Sequence, residues 1–162
     1  MSAQQLFGLS ILLSFVVWSV VLMQTVWPAL RGRSRADALR PILMLHSFRF
    51  VGLTFLVPGV VSPQLPDAFA RPAAYGDLLT SILALLTLAT LHRRIGVVLA
   101  WVVNLIGTID LLHAYYQGNR TGVGLDPGLQ GAAYFIPTVL VPLLLLTHGL
   151  SFRVLRSGGS AA

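Results

Sequence analysis

Hydrophobic positions along the chain fall into five long runs separated by short polar stretches, and runs of this length predict helices rather than strands. The first, residues 6–30, is apolar over 25 residues and carries Trp18 and Trp27. At about 1.5 Å per residue it is long enough to cross about 30 Å of hydrocarbon with some tilt. No basic residue precedes it and no small-residue cleavage site ends it, so it reads as a retained span rather than a signal peptide. The second run, residues 41–61, opens with Pro41 at a tolerated first-turn position, and Pro58 kinks or ends it. Residues 62–72 hold Pro63, Pro66 and Pro72 and are expected not to form regular helix. In that loop Leu65, Ala68, Phe69 and Ala70 are apolar enough to lie in an interface. A short third span, 75–91, ends at His92, Arg93 and Arg94, and the chain returns over 95–115. Residues 117–131 hold five glycines and Asp126-Pro127, a turn signal, before the last span at 132–152. The tail, 153–162, is expected to be disordered beyond its first turn.

This pattern predicts an all-α fold: one polytopic transmembrane bundle over residues 1–162, with about five spans. Composition agrees, because 56% of residues are hydrophobic and only 10% charged, against roughly 25% charged in soluble domains. No polar stretch is long enough for a soluble catalytic domain. All eleven basic residues are Arg, which raises the question of nucleic acid, but their placement follows membrane topology instead. With the N-terminus outside and the C-terminus cytoplasmic, the inner segments hold Arg31, Arg33, Arg35, Arg40, Arg93, Arg94, Arg153 and Arg156, and the outer loops only Arg71 and Arg120. Tyr75, Tyr115, Tyr116 and Tyr134 then fall at the outer interface. The absence of Glu and Lys beside abundant Ala, Leu, Val and Arg points to a high-GC bacterial genome, and hence to a multi-pass protein of a bacterial inner membrane. The absence of cysteine excludes disulfides, iron–sulfur ligation and thiol catalysis.

Polar residues inside apolar runs are the candidates for chemistry. Arg49 sits near the middle of the second span, where a charge costs about 2.5–3.5 kcal/mol on insertion scales, so it requires a partner. Asp110 is the first choice and Asp77 the second. His46, one turn before Arg49, extends the polar stripe. An anionic group such as a lipid phosphate or carboxylate would suit the planar guanidinium. His46 and His148 fall at similar depth, which raises haem b or metal ligation as a competing reading. Asp110 and His113 lie one turn apart, and with Asp77 they form a possible divalent-metal set. His92, beside two arginines at a helix end, reads as an interfacial residue. Gly96, Ala100, Asn104 and Thr108 recur at i+4 as a small-residue stripe, which casts Asn104 as an interhelical hydrogen-bonding residue and a candidate ligand contact. Pro137 and Pro142 free carbonyls in the last span, either around a cavity or re-satisfied by Thr138 and its neighbours.

No phosphate-binding loop, hydrolase elbow, zinc-protease helix, haem-attachment or dinucleotide motif is present. No internal repeat supports an inverted-repeat transporter. The segments Arg49-Phe-Val-Gly52, Leu65 to Pro72 with Gly76-Asp77, Asn104 to His113, and Ile136-Pro137 through His148 resemble small uncharacterised inner-membrane proteins of bacteria. That resemblance implies fold and location and assigns no functional residue. The leading functional expectation is binding or transport of a small ligand or lipid through a polar intramembrane site formed by Arg49, His46, Asp110, Asn104 and His148. The competing expectations are a haem- or metal-binding redox protein, and an accessory subunit whose loops dock a membrane-complex partner or a second copy. The lipid bilayer is the expected surrounding in all three, and nucleic acid in none.

Overall fold

The structure, a computed structural model, describes residues 1–157 and is all-helical. Five helices are long and apolar enough to cross a membrane: α1, Ala3–Leu30; α2, Arg35–Leu56; α3, Asp67–Thr90; α4, Arg94–Arg120; and α5, Ile136–Arg156. A 3-10 segment, Pro127–Tyr134, links α4 to α5. Short connections make successive helices antiparallel. One end of the bundle therefore gathers Leu30, Ala38, Leu91, Val154 and Leu155 into one apolar cluster, with the Arg153 guanidinium 3.9 Å above the Trp27 ring. α3 packs against α2 and α4, α5 against α4 and α1, while no residue of Ala3–Val21 is buried. The outer faces carry exposed leucine, valine, isoleucine and phenylalanine.

Several helices begin earlier or run further than the hydrophobic runs suggest. α2 starts at Arg35, capped by the Ser34 hydroxyl, so Pro41 lies inside the helix rather than in its first turn. α3 starts at Asp67 after Pro66, so 67–72 is helical despite Pro72. The cost of that proline falls where it is tolerable, since Ala68, whose carbonyl Pro72 leaves without a donor, is exposed. Leu65, Phe69 and Ala70 are buried in the bundle rather than spread at its edge. α4 continues to Arg120, and α5 reaches Arg156; the expected disorder of the tail otherwise concerns 158–162, outside the described residues.

The helix bore changes at three places. Leu22–Val26 and Ile136–Leu140 are π-helical, and each ends two residues before a proline, Pro28 and Pro142. A proline cannot donate and its ring clashes with the carbonyl four residues earlier, and widening the turn moves that carbonyl away. The other change tightens the helix. From Phe48 to Leu56 α2 is 3-10, three residues per turn, and the buried positions follow that period: Arg49, Gly52 and Phe55, continuing from His46 in the α-helical half. The Ser81 hydroxyl donates to the Ser47 carbonyl at 2.6 Å, where the two geometries meet.

Two connecting segments are stitched by backbone bonds, Ser62 N–H to Leu129 O and Ala132 N–H to Val60 O, both 3.0 Å. Gly131 joins them at φ +51, and a Cβ there would collide with the Val60 carbonyl. Gly131→Ala is expected to cost about 1–3 kcal/mol for the strained backbone alone. Gly149→Ala, with open space around it, should leave stability unchanged or raised. Denaturant titration of both variants in the same detergent checks the contrast.

Candidate functional site

Each of α2 to α5 contributes polar side chains at one level, between two apolar clusters. Phe55, Phe69, Ala73, Leu111 and Leu144 lie on one side of this layer, and Leu43, Ala84, Ala100, Val103 and Val154 on the other. Between them sit His46, Arg49, Asp77, Asn104, Asp110, Thr147 and His148. Arg49 is the hub. Its Nε donates to Asp77 Oδ1 at 2.7 Å, its Nη2 to Asp110 Oδ2 at 2.5 Å, and its Nη1 to the Gly107 carbonyl at 3.1 Å. Nη1 also faces His148 Nε2 at 3.4 Å. Guanidinium has no acceptor, so that imidazole nitrogen accepts. His148 Nδ1, 2.6 Å from Asn104 Oδ1, is then the protonated one and donates. Four helices are tied through one side chain that is itself completely covered.

Sequence reasoning offered Asp110 or Asp77 as the countercharge, and the structure uses both. The five expected ligand-site residues, Arg49, His46, Asp110, Asn104 and His148, do converge, with Asp77 as a sixth member. The anion expected at Arg49 has no place to bind, because four of the five guanidinium N–H groups are engaged and the side chain shows no exposed surface. The carboxylates, with side chains 8% and 13% exposed, are the groups that reach a cavity.

Three glycines make the layer possible. A Cβ on Gly52 would overlap the Asp77 carboxylate, and one on Gly76 the Asp110 carboxylate. One on Gly107 would lie 2.6 Å from the His148 ring and 2.7 Å from Arg49 Nη1. Each glycine thus gives its missing side-chain volume to a polar group from the neighbouring helix. Sequence reasoning found the stripe on α4 but extended it from Asn104 to Thr108, whereas Gly107 is the buried, closely approached position. The signal was available in spacing: Gly52 follows Arg49 by three, and Gly76 and Gly107 each lie within three residues of an aspartate inside an apolar run.

The histidines do not fit the haem reading. Their rings stack with centroids 4.0 Å apart and 30° between planes. Axial ligands must instead point at an iron from opposite faces of the macrocycle. Both nitrogens of His148 are engaged, and His46 Nε2 faces Thr147 Oγ1 at 3.2 Å. Nor do Asp77, Asp110 and His113 form a metal set. His113 is exposed, and among the described residues no group of three or more His, Cys, Asp or Glu is arranged to hold a metal ion.

Beside the layer lies a cavity of about 390 Å³, walled by Phe7 and Ile11 of α1, Phe69, Leu111, Ile136 and Val141, with Asp77 and Asp110 among its lining. Gln130, from the 3-10 segment, also lines it; the residue is 1% exposed, and neither its Oε1 nor its Nε2 has a hydrogen-bond partner. Nothing in the sequence separated Gln130 from an ordinary loop glutamine. Pro137 forms part of the wall, and carbonyls in and just before its π-helical turn accept from side chains as well: Trp18 Nε1 donates to Val139 O at 3.1 Å, Tyr115 OH to Pro137 O at 3.4 Å, and Thr138 Oγ1 to Tyr134 O at 2.7 Å. The two alternatives posed by the prolines, a cavity and re-satisfied carbonyls, therefore coexist.

Removing one member of a buried charge cluster strands the others, at a cost of about 3–5 kcal/mol, so Arg49→Met is expected to be severely destabilising. Gly107→Ala should also destabilise, because the groups it displaces are pinned by hydrogen bonds. The two losses should fall short of additive by at least about 0.5 kcal/mol, since both act on the same contacts. A double-mutant cycle in detergent measures that coupling, and full additivity would show that Gly107 and Arg49 act separately. The family model described as Domain of unknown function (DUF8737) matches residues 6–156. No curated protein and no solved structure matches the chain. With nearly its whole length covered, the chain belongs to the family described as Domain of unknown function (DUF8737).

Proposed function

We propose that the chain is a multi-pass protein of a bacterial inner membrane, N-terminus outside and C-terminus cytoplasmic, which binds a small ligand in the cavity beside Asp77 and Asp110. The observation that carries this reading is the cavity's construction: apolar walls with a few convergent polar groups, which is how small-molecule sites are generally built. Its volume of about 390 Å³ falls in the range of such sites. A cluster that served only to pack helices would close over both aspartates as it closes over Arg49. Instead one oxygen of each aspartate binds the guanidinium, and the residues line open space.

Membrane placement rests on the five long apolar helices and their exposed apolar faces. Orientation rests on the arginine bias, eight residues at one end of the bundle against Arg71 and Arg120 at the other. In that orientation the cavity lies on the outer side of the polar layer, towards the Pro127–Tyr134 segment.

The chain has no cysteine, so single cysteines report cleanly. In intact cells or oriented vesicles, Gln64→Cys and the cavity variant Ala114→Cys are expected to react with a small, charged, membrane-impermeant thiol reagent from outside. Ser157→Cys should react only after permeabilisation, and Val103→Cys, in the inner apolar cluster, from neither side. Labelling of Ser157→Cys from outside would reverse the topology, and an inert Ala114→Cys would remove the ligand-binding reading.

A further inference from the structure

The charges and hydrogen-bonding groups around the cavity narrow the class of ligand, an inference that rests on the ligand-binding reading above. Arg49 brings one positive charge, while Asp77 and Asp110 bring two carboxylates. Of the other two groups in contact with the guanidinium, the Gly107 carbonyl is uncharged, and His148 accepts from Arg49 through Nε2 and so contributes no charge. No further arginine lines the cavity. With both carboxylates ionised, the layer carries one uncompensated negative charge in an apolar surrounding, an arrangement that a positive partner relieves and an anion worsens.

Geometry places that deficit at the cavity. Asp77 Oδ1 and Asp110 Oδ2 are taken by Arg49, and no hydrogen bond from the described residues reaches Asp77 Oδ2 or Asp110 Oδ1. Arg49 takes one oxygen of each carboxylate; the other, packed beside Gly52 in Asp77 and beside Gly76 in Asp110, has no donor among the described residues, and both aspartates line the cavity. A second polar feature lies elsewhere on the lining: the Gln130 amide, almost fully buried, with a donor and an acceptor both unmatched. A buried amide without partners is unfavourable, and a ligand bearing a polar group there satisfies it. Between these features the surface is aromatic and aliphatic, from Phe7, Ile11, Phe69, Leu111, Ile136 and Val141.

We infer that the cavity takes an amphiphilic cation, a molecule with a protonated amine seated against the Asp77 and Asp110 carboxylates, an apolar body along the α1 and α5 walls, and a polar group towards Gln130. The ammonium supplies the donors the two oxygens lack, and its charge restores neutrality to the layer. Hydrated divalent cations fit less well, because they require more oxygen ligands than two carboxylates already bound to Arg49 provide.

The test uses the full-length Ala114→Cys chain in a neutral detergent and three probes of equal chain length: octylammonium, octanol and octanoate. Each is titrated against the rate of thiol labelling at Ala114→Cys. Octylammonium is expected to protect at a concentration at least about tenfold below octanol, and octanoate not to protect. Asp110→Asn in the same background should remove the advantage of octylammonium over octanol while octanol protection persists; Asp77→Asn is the second variant should the first fail to fold. Equal protection by octanol, or protection by octanoate, overturns the cationic class and leaves the cavity standing as a ligand site. Protection by none of the three overturns the amphiphile itself. The ranking within the unaltered carboxylate pair decides the matter even if no aspartate variant can be purified.

Discussion

Everything in this bundle is arranged around one guanidinium buried between four helices. An arginine without partners among apolar helices is unfavourable by several kcal/mol. Hydrogen bonds involving charged groups contribute about 1.5–3 kcal/mol each, so several are enough to reverse that balance, provided their partners come within bonding distance. That proviso dictates the backbone. Two carboxylates, a carbonyl and an imidazole have to reach one side chain from three other helices, and the helices approach closely only where a side chain is missing. Gly52, Gly76 and Gly107 are those places. The 3-10 winding of α2 serves the same end: it holds His46, Arg49, Gly52 and Phe55 on one line facing the neighbours, where an α-helical continuation would rotate the later members away.

The apolar clusters on either side of this layer have a different physical job. Lipid tails are as apolar as leucine, so in the proposed membrane setting burying leucine against leucine would bring little hydrophobic gain, and association would rely on close packing and polar contacts. α3 follows this logic along its length. Its buried face is Ala70, Ala73, Ala74, Asp77, Thr80, Ser81, Ala84 and Thr87, small or polar at nearly every turn. Thr80 and Thr87 return their hydroxyls to carbonyls four residues back, at 2.9 and 2.7 Å, so they pack as small residues without leaving a donor unmatched. α1 has no such face, and its first two-thirds, Ala3–Val21, contributes no buried residue. Its role is to wall the cavity and to donate from Trp18.

Much of this was legible in the chain. Arg49 inside an apolar run demanded a partner, and both candidate aspartates proved to be partners; His46, Asn104 and His148 were singled out for depth and character and all lie in the same layer. What sequence reasoning missed follows from the limits of a one-dimensional pattern. Hydropathy ends a span where apolar residues stop, but α3 begins eight residues before Tyr75, because Pro66 is compatible with a helix start and Pro72 falls near an exposed end. Pairing of His113 with Asp110 was suggested by spacing on one helix, whereas Arg49, from another helix, orients Asp110 and leaves His113 outside. Stacked histidines and ligating histidines look alike as positions and differ only in ring orientation. Gln130 required knowing that Gly131 turns the chain against Val60, a contact between residues about seventy apart.

The cavity is a consequence of backbone geometry rather than of small side chains. Among its lining are Phe7, Phe55, Phe69, Tyr115 and Ile136, large residues that would fill such a space if straight helices brought them together. They do not meet where α5 is wound wide over Ile136–Leu140, ahead of Pro142, and α1 meets it there through Trp18. The freed carbonyls of that turn are satisfied by Trp18 and Tyr115 from the sides, so no helix has to close in to supply donors. The polar layer determines what the cavity can hold, and the two prolines of α5 determine that there is a cavity beside it.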